Sequence, residues 1–212
     1  MSMPSGRRSR KRLATRHAIA SAAWRLFQQR GFDAVTVDEV AAAADVARMT
    51  VFNYFPRKED LFFDRDEEGR KTLRTALRAH DPGVSPIEAL RRLAHQLVAE
   101  GRPYVEFSSR SQAFIAAIER SEVLKARARA IRDEIAQLVA AGFAEWAGEE
   151  SASAGPQLGA ALLLATWSVA LLQAHRTFRQ SEDTGRAEAA FLAIIDSGSA
   201  GLIVAMAWTP YA

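Results

Sequence analysis

Arg48, Met49, Thr50 and Asn53 are spaced so that one short helix would turn them to the same outer face. They bring a guanidinium, a thioether, a hydroxyl and an amide to that face, groups able to hydrogen-bond and pack in a nucleic-acid groove. The residues that must hold such a face lie just upstream. Thr36 is suited to cap a helix, because its hydroxyl can accept from the orphan amides of the first turn, and Glu39 can reach back to complete a capping box. Val35 and Val40 stand where a hydrophobic staple would close over that cap, and Val37, Val40, Ala41 and Ala44 recur at helical spacing. Asp45 tolerates a left-handed turn better than most residues other than glycine. Val46 and Val51 are placed to pack back on the first helix. The stretch from Thr36 to Lys58 therefore predicts a helix-turn-helix.

Other chemistries find little support. The four histidines, His17, His80, His95 and His175, stand far apart, and no HExxH, paired metal spacing, nucleophile elbow, P-loop or dinucleotide fingerprint occurs. No catalytic residue, metal ligand or cofactor is assigned. The absence of cysteine excludes disulfides and thiolate metal sites and fits a reducing cytoplasm, where the protein is expected to reside. With 49% hydrophobic and 25% charged residues among 212, the chain has the composition of a soluble globular protein with a sizeable core. Its charge is unevenly spread. Up to Lys58 there are eleven basic and four acidic residues, a net +7, against seventeen basic and twenty-one acidic residues beyond, a net −4. A basic end on an acidic body suits a nucleic-acid-binding head.

Residues 1–12 hold five basic residues between Arg7 and Arg12 and no apolar period, which predicts a disordered arm able to lie on phosphates or in the minor groove. Arg16, His17 and Arg25 interrupt the next apolar stretch, so it is no secretory signal. It predicts instead an amphipathic helix from Leu13 to Arg30, burying Trp24 and Phe27 and stopped by Gly31. A connecting helix is expected over Lys58–His80, closed by the break at Asp81–Pro86. Three apolar stripes follow, over Ile87–Val98, Tyr104–Ile118 and Leu124–Trp146, with no β-branched alternation anywhere.

Gly31-Phe32, Thr36-Val37, Glu39-Val40-Ala41, Val46, Thr50-Val51, Asn53-Tyr54-Phe55-Pro56 and Lys58-Glu59 together resemble the N-terminal domain of TetR-family transcriptional regulators, over about residues 13–62. Two departures stand out. Asp45 holds the turn position usual for glycine, and Ala47 stands where a capping serine is common, at a cost of about 1 kcal/mol. The resemblance implies that Arg48, Met49 and Thr50 approach the bases, with Ala47 beside them among the DNA-binding positions. Arg48 would pair with guanine O6 and N7, and Met49 would touch a thymine methyl. It implies that Thr36, Asn53, Tyr54 and Lys58 hold phosphates, and that Phe52, where tyrosine is usual, keeps the ring but loses a hydroxyl contact.

For the body, the resemblance implies a small-molecule effector. The aromatic and mildly polar candidates are His95, Tyr104, Phe107, Phe114, Gln137, Trp146 and Trp167, a set that suits an apolar pocket. Leu158–Ala174 is uncharged but shorter than the roughly 20 residues a bilayer requires. It and the apolar stretch 191–212, with its run of small residues, are better buried against each other and a second copy. The resemblance implies the same, a homodimer through helices at about 157–180 and 187–207, without membrane insertion.

The expected fold is thus all-α: a three-helix helix-turn-helix domain at 13–57 behind the arm, and a helical ligand-binding and dimerisation domain at 58–212. The expected function is a ligand-responsive repressor binding palindromic double-stranded DNA as a homodimer. An architectural DNA binder without an effector and, further off, a helical enzyme are the alternatives.

Overall fold

A computed structural model describes residues 5–79, 83–150 and 153–211. Ten α-helices and one 3-10 turn make up its regular structure, and no strand occurs among the described residues. The helices are α1 (Ser5–Arg30), α2 (Val37–Ala43), α3 (Arg48–Tyr54), α4 (Lys58–Phe62), α5 (Asp66–Arg78), α6 (Pro86–Ala99), α7 (Ser109–Arg120), α8 (Glu122–Ala147), α9 (Ala154–Ser181) and α10 (Thr184–Ala205). The 3-10 turn is Pro103–Val105.

Three elements differ from the sequence expectation, one of them the stripe over Tyr104–Ile118, which starts as the 3-10 turn and is helical only from Ser109 in α7. Helix α1 starts at Ser5, so the part of the expected arm from Ser5 to Arg12 is helical, while residues 1–4 lie outside the described ones. Arginine and lysine are strong helix formers, and the packed stretch after Leu13 gives them a helix to extend. The connecting helix expected over Lys58–His80 is instead broken into α4 and α5, with His80 outside the described residues. At the break Phe62 is buried among Trp24, Phe27 and Phe32, and the carbonyl of Asp64 accepts from Arg16.

The chain divides into two compact units. The first runs up to Asp66 and takes in Ala117–Arg127; the second holds Glu67–Ala116 and Ala128–Ala212. The first unit thus takes in a segment distant in sequence. Leu124 is fully buried there, Ser121 Oγ donates to the Asp33 carboxylate at 3.0 Å, and Arg127 pairs with Asp60 at 3.1 Å and Asp66 at 3.7 Å.

In the second unit, α9 and α10 form a helical hairpin, turned by Glu182 in the left-handed conformation. Gly198 lets them close up: a Cβ there would lie 2.3 Å from Thr166 Cγ2. Phe107, Phe143, Phe191, Ile195 and Leu90 are fully buried in the core of this unit. The C-terminal residues fold back on α8. Tyr211 stacks on Phe143 with centroids 5.3 Å apart and donates to Glu149 at 3.0 Å, while Trp146 Nε1 donates to the Pro210 carbonyl at 3.2 Å. At 28 and 22 residues, α9 and α10 are each long and apolar enough to cross a membrane by length and composition alone, as core helices of a soluble protein also can be.

Candidate nucleic-acid interface

A seven-residue helix such as α3 cannot hold itself in water, so its neighbours must fix it. Thr36 caps α2 with both arms of the capping box: Glu39 N–H donates to Thr36 Oγ1 at 3.2 Å, and Thr36 N–H donates to Glu39 Oε2 at 2.8 Å. That backbone donor, together with Arg30 at 2.6 Å, holds the Glu39 carboxyl down at about 2, against an ordinary value of 4.5. Asp45 adopts a φ of 52°, the left-handed turn its side chain tolerates. Val40 and Val51 are fully buried, joining α2 to α3. Ala47 begins α3 without a side-chain cap.

Arg48, Met49 and Asn53 are exposed, as is Ala47; Thr50, Phe52 and Tyr54 are half-buried. Arg48 reaches Asp38 at 2.9 Å and lies over the Phe52 ring at 5.5 Å. Both partners of that ion pair are about 60% exposed, so water screens it and its worth is about 0–1 kcal/mol. It holds Arg48 in place without locking it away from a base. Replacing Asp38 with Asn should therefore free Arg48 and remove a repelling charge. Affinity for duplex DNA is expected to rise a few-fold in a titration at fixed salt; unchanged or weaker binding would separate Asp38 from the interface.

Lys58 is turned partly inward. Its ammonium lies 4.3 Å from the Phe32 ring centroid and 3.4 Å from the Asp33 carbonyl, and burial lowers its pKa from the ordinary 10.5. Thr36 is exposed at the start of α2, where backbone amides point outward. Two cations of α1 also reach the site, Arg12 from the expected arm and Arg16, which had no assigned role. Arg12 lies over the Tyr54 ring at 6.0 Å, and Arg16 lies over Phe55 at 4.3 Å. A one-turn spacing of two cations on α1 was the available signal.

The body candidates do not converge. Phe107 and Trp167 both pack on Phe191, at 5.8 and 5.7 Å, with His175 edge-on to Phe107 at 5.0 Å. Burial lowers the His175 pKa. Tyr104 stands in the 3-10 turn with its hydroxyl oxygen buried near Glu68 and Arg102, and burial raises its pKa to about 12. His95 is half-exposed and meets Asp196 at 2.8 Å. Phe114 is half-buried on α7, and Trp146 packs against the C-terminal residues. Gln137 lines a groove of about 390 Å³ between α5 and α8, with Arg70, Arg74, Arg78, Leu77 and Leu138. Among the described residues, no group of His, Asp and Glu is placed to hold a metal.

Residues 19–64 match the family model described as bacterial regulatory proteins, tetR family. The chain is 42% identical over 50 residues to the uncharacterized HTH-type transcriptional regulator YdeS of Bacillus subtilis, an overlap of 24% of this chain and 25% of that one. It spans between a quarter and about half the length of the curated relatives it matches. Among solved structures it resembles the SmeT–triclosan complex, with a TM-score of 0.57 at 20% identity over 89% of this chain and 91% of that one. It also resembles the Thermus thermophilus FadR repressor in complex with lauroyl-CoA, with a TM-score of 0.54 at 24% identity over 89% and 93%. At such identities the likeness is one of fold.

Proposed function

We infer that this chain, which carries the N-terminal domain of the tetR family of bacterial regulatory proteins, is a sequence-specific DNA-binding transcriptional repressor that responds to a small molecule. The observation that carries this reading is the outward face of α3: Arg48, Met49 and Asn53 stand exposed on a short helix whose other face is locked by Val51, behind a fully capped α2. Arg48 and Met49 read base edges, while Thr36, Asn53 and Tyr54 hold phosphates. Lys58 reaches a phosphate by swinging off Phe32.

The protein acts as a homodimer. Leu158, Val169 and Leu172 on α9 and Val204 on α10 are 46–76% exposed on two helices that each hold a long apolar window. A second copy covering the hairpin hides that surface and gives two reading heads, hence a palindromic operator. The same apolar surface is satisfied by a dimer in a soluble, cytoplasmic protein without recourse to a membrane. Ligand response is supported by the bound triclosan and lauroyl-CoA of the two structural neighbours. The Phe107–Trp167–Phe191 cluster is the candidate body region. An effector that prefers the state unable to bind DNA releases the operator by population shift.

Titrating duplex DNA across a range of salt tests this reading. Affinity should fall steeply with salt, and Lys58→Ala should weaken binding to every sequence and reduce the log–log slope by about one. Affinity indifferent to salt would remove the DNA-binding assignment.

A further inference from the structure

On the reading that α3 is the DNA-reading helix, we propose that Arg16 is a positioning residue for sequence recognition: it holds the C-terminal end of α3 and thereby sets where Arg48, Met49 and Thr50 meet the bases. The guanidinium of Arg16 donates from one nitrogen to the Tyr54 carbonyl at 3.2 Å and from another to the Asp64 carbonyl at 2.6 Å. Its plane lies over the buried Phe55 ring at 4.3 Å. One side chain of α1 thus grips the last residue of α3 and the turn after α4, while the ring beneath it closes α3 as its C-cap.

The grip matters because the other end of α3 is loose. Ala47 offers no side-chain cap, and at the start of the helix Arg48 is tethered across to α2 through its exposed pair with Asp38. In a helix of seven residues, the last carbonyls have no partner further along, and a fixed planar donor fork at that end defines its orientation. Arg16 is itself half-buried and occupied by two carbonyls, so it is not a phosphate contact. Arg12, one turn earlier on α1, lies over the ring of Tyr54. The same helix face therefore also places the candidate phosphate-holding phenol.

The test compares wild type, Arg16→Lys and Arg16→Gln on two duplexes: the site that wild type enriches from random DNA, and a scrambled one. Lysine keeps the charge but cannot bridge two carbonyls with a planar fork; glutamine keeps much of the stem. Arg16→Lys is expected to lose about ten-fold on the enriched site, to change less than two-fold on the scrambled one, and to keep the wild-type salt slope. Circular dichroism and thermal melting establish that the variants are folded, and Arg16→Gln should show the same selective loss if lysine perturbs the packing. Full rescue by lysine, or for Arg16→Gln an equal loss on both duplexes with a slope reduced by one, would make Arg16 a phosphate contact and overturn the proposal. If wild type enriches no sequence, the DNA-reading assignment falls and this inference with it. Enrichment by wild type with unaltered selectivity in both variants overturns this inference alone.

Discussion

Gly198→Ala is expected to destabilise the protein by about 1–3 kcal/mol, because the added methyl has no room between α9 and α10. The Cβ it creates would lie 2.3 Å from Thr166 Cγ2, 3.0 Å from its Oγ1 and 3.2 Å from its Cβ. Two of those three atoms belong to the end of the threonine side chain, which is held in place by donation from Oγ1 to the Leu162 carbonyl at 3.1 Å. Relief thus requires rotating a β-branched side chain inside a helix or moving the helices apart. For a chain of this size the melting temperature should fall by roughly 2–12 °C. Thr166→Ala in the same molecule should restore most of the loss, since only the 3.2 Å contact to Cβ remains. Melting curves of the two single variants and the double variant measure the coupling. Additive losses would show that Gly198 is not placed by its contact with Thr166.

The second large effect belongs to the recognition face. Arg48→Ala should cost about 1–3 kcal/mol of affinity for the preferred site and relax selectivity at one base pair in each half-site. The guanidinium is 62% exposed on the side chain and bound only to an exposed carboxylate and a half-buried ring, so its removal leaves the head folded. That separates it from Lys58, whose ammonium also holds the Asp33 carbonyl and the Phe32 ring. Binding to a panel of single-base variants of the site distinguishes the two. A uniform loss for Arg48→Ala would place it on the backbone and not on a base.

The head was legible because its signals are local. Thr36 and Glu39 stand three apart, and the capping box between them is present; Asp45 and Gly31 take the positive φ values that their types allow. Ala47 leaves its helix uncapped, as its side chain requires. The apolar stripes of the body likewise became α6, α8, α9 and α10 within a few residues.

What stayed hidden depends on partners distant in sequence. Nothing near Asp33 announces a hydrogen bond to Ser121, and nothing near Asp60 announces Arg127, so the return of Ala117–Arg127 to the head had no signature. The break between α4 and α5 has the same origin, since Leu61 and Phe62 continue a helical pattern while the carbonyl of Asp64, just beyond them, meets Arg16 of α1. The effector candidates, chosen by type alone, scatter over the body. Aromatic residues serve a core as readily as a pocket, and Phe107 with Trp167 around Phe191 shows how they pack when brought together.

The central claim is that α3 reads DNA sequence from a two-fold symmetric protein. Selection of binding sites from random duplex DNA by the wild-type chain, at fixed near-physiological salt, tests it most directly. The expected result is an enriched palindrome whose half-sites are separated by about one helical turn or a multiple of it. Enrichment of no sequence, with and without small molecules added, would contradict the claim and leave a DNA binder that recognises shape and charge alone.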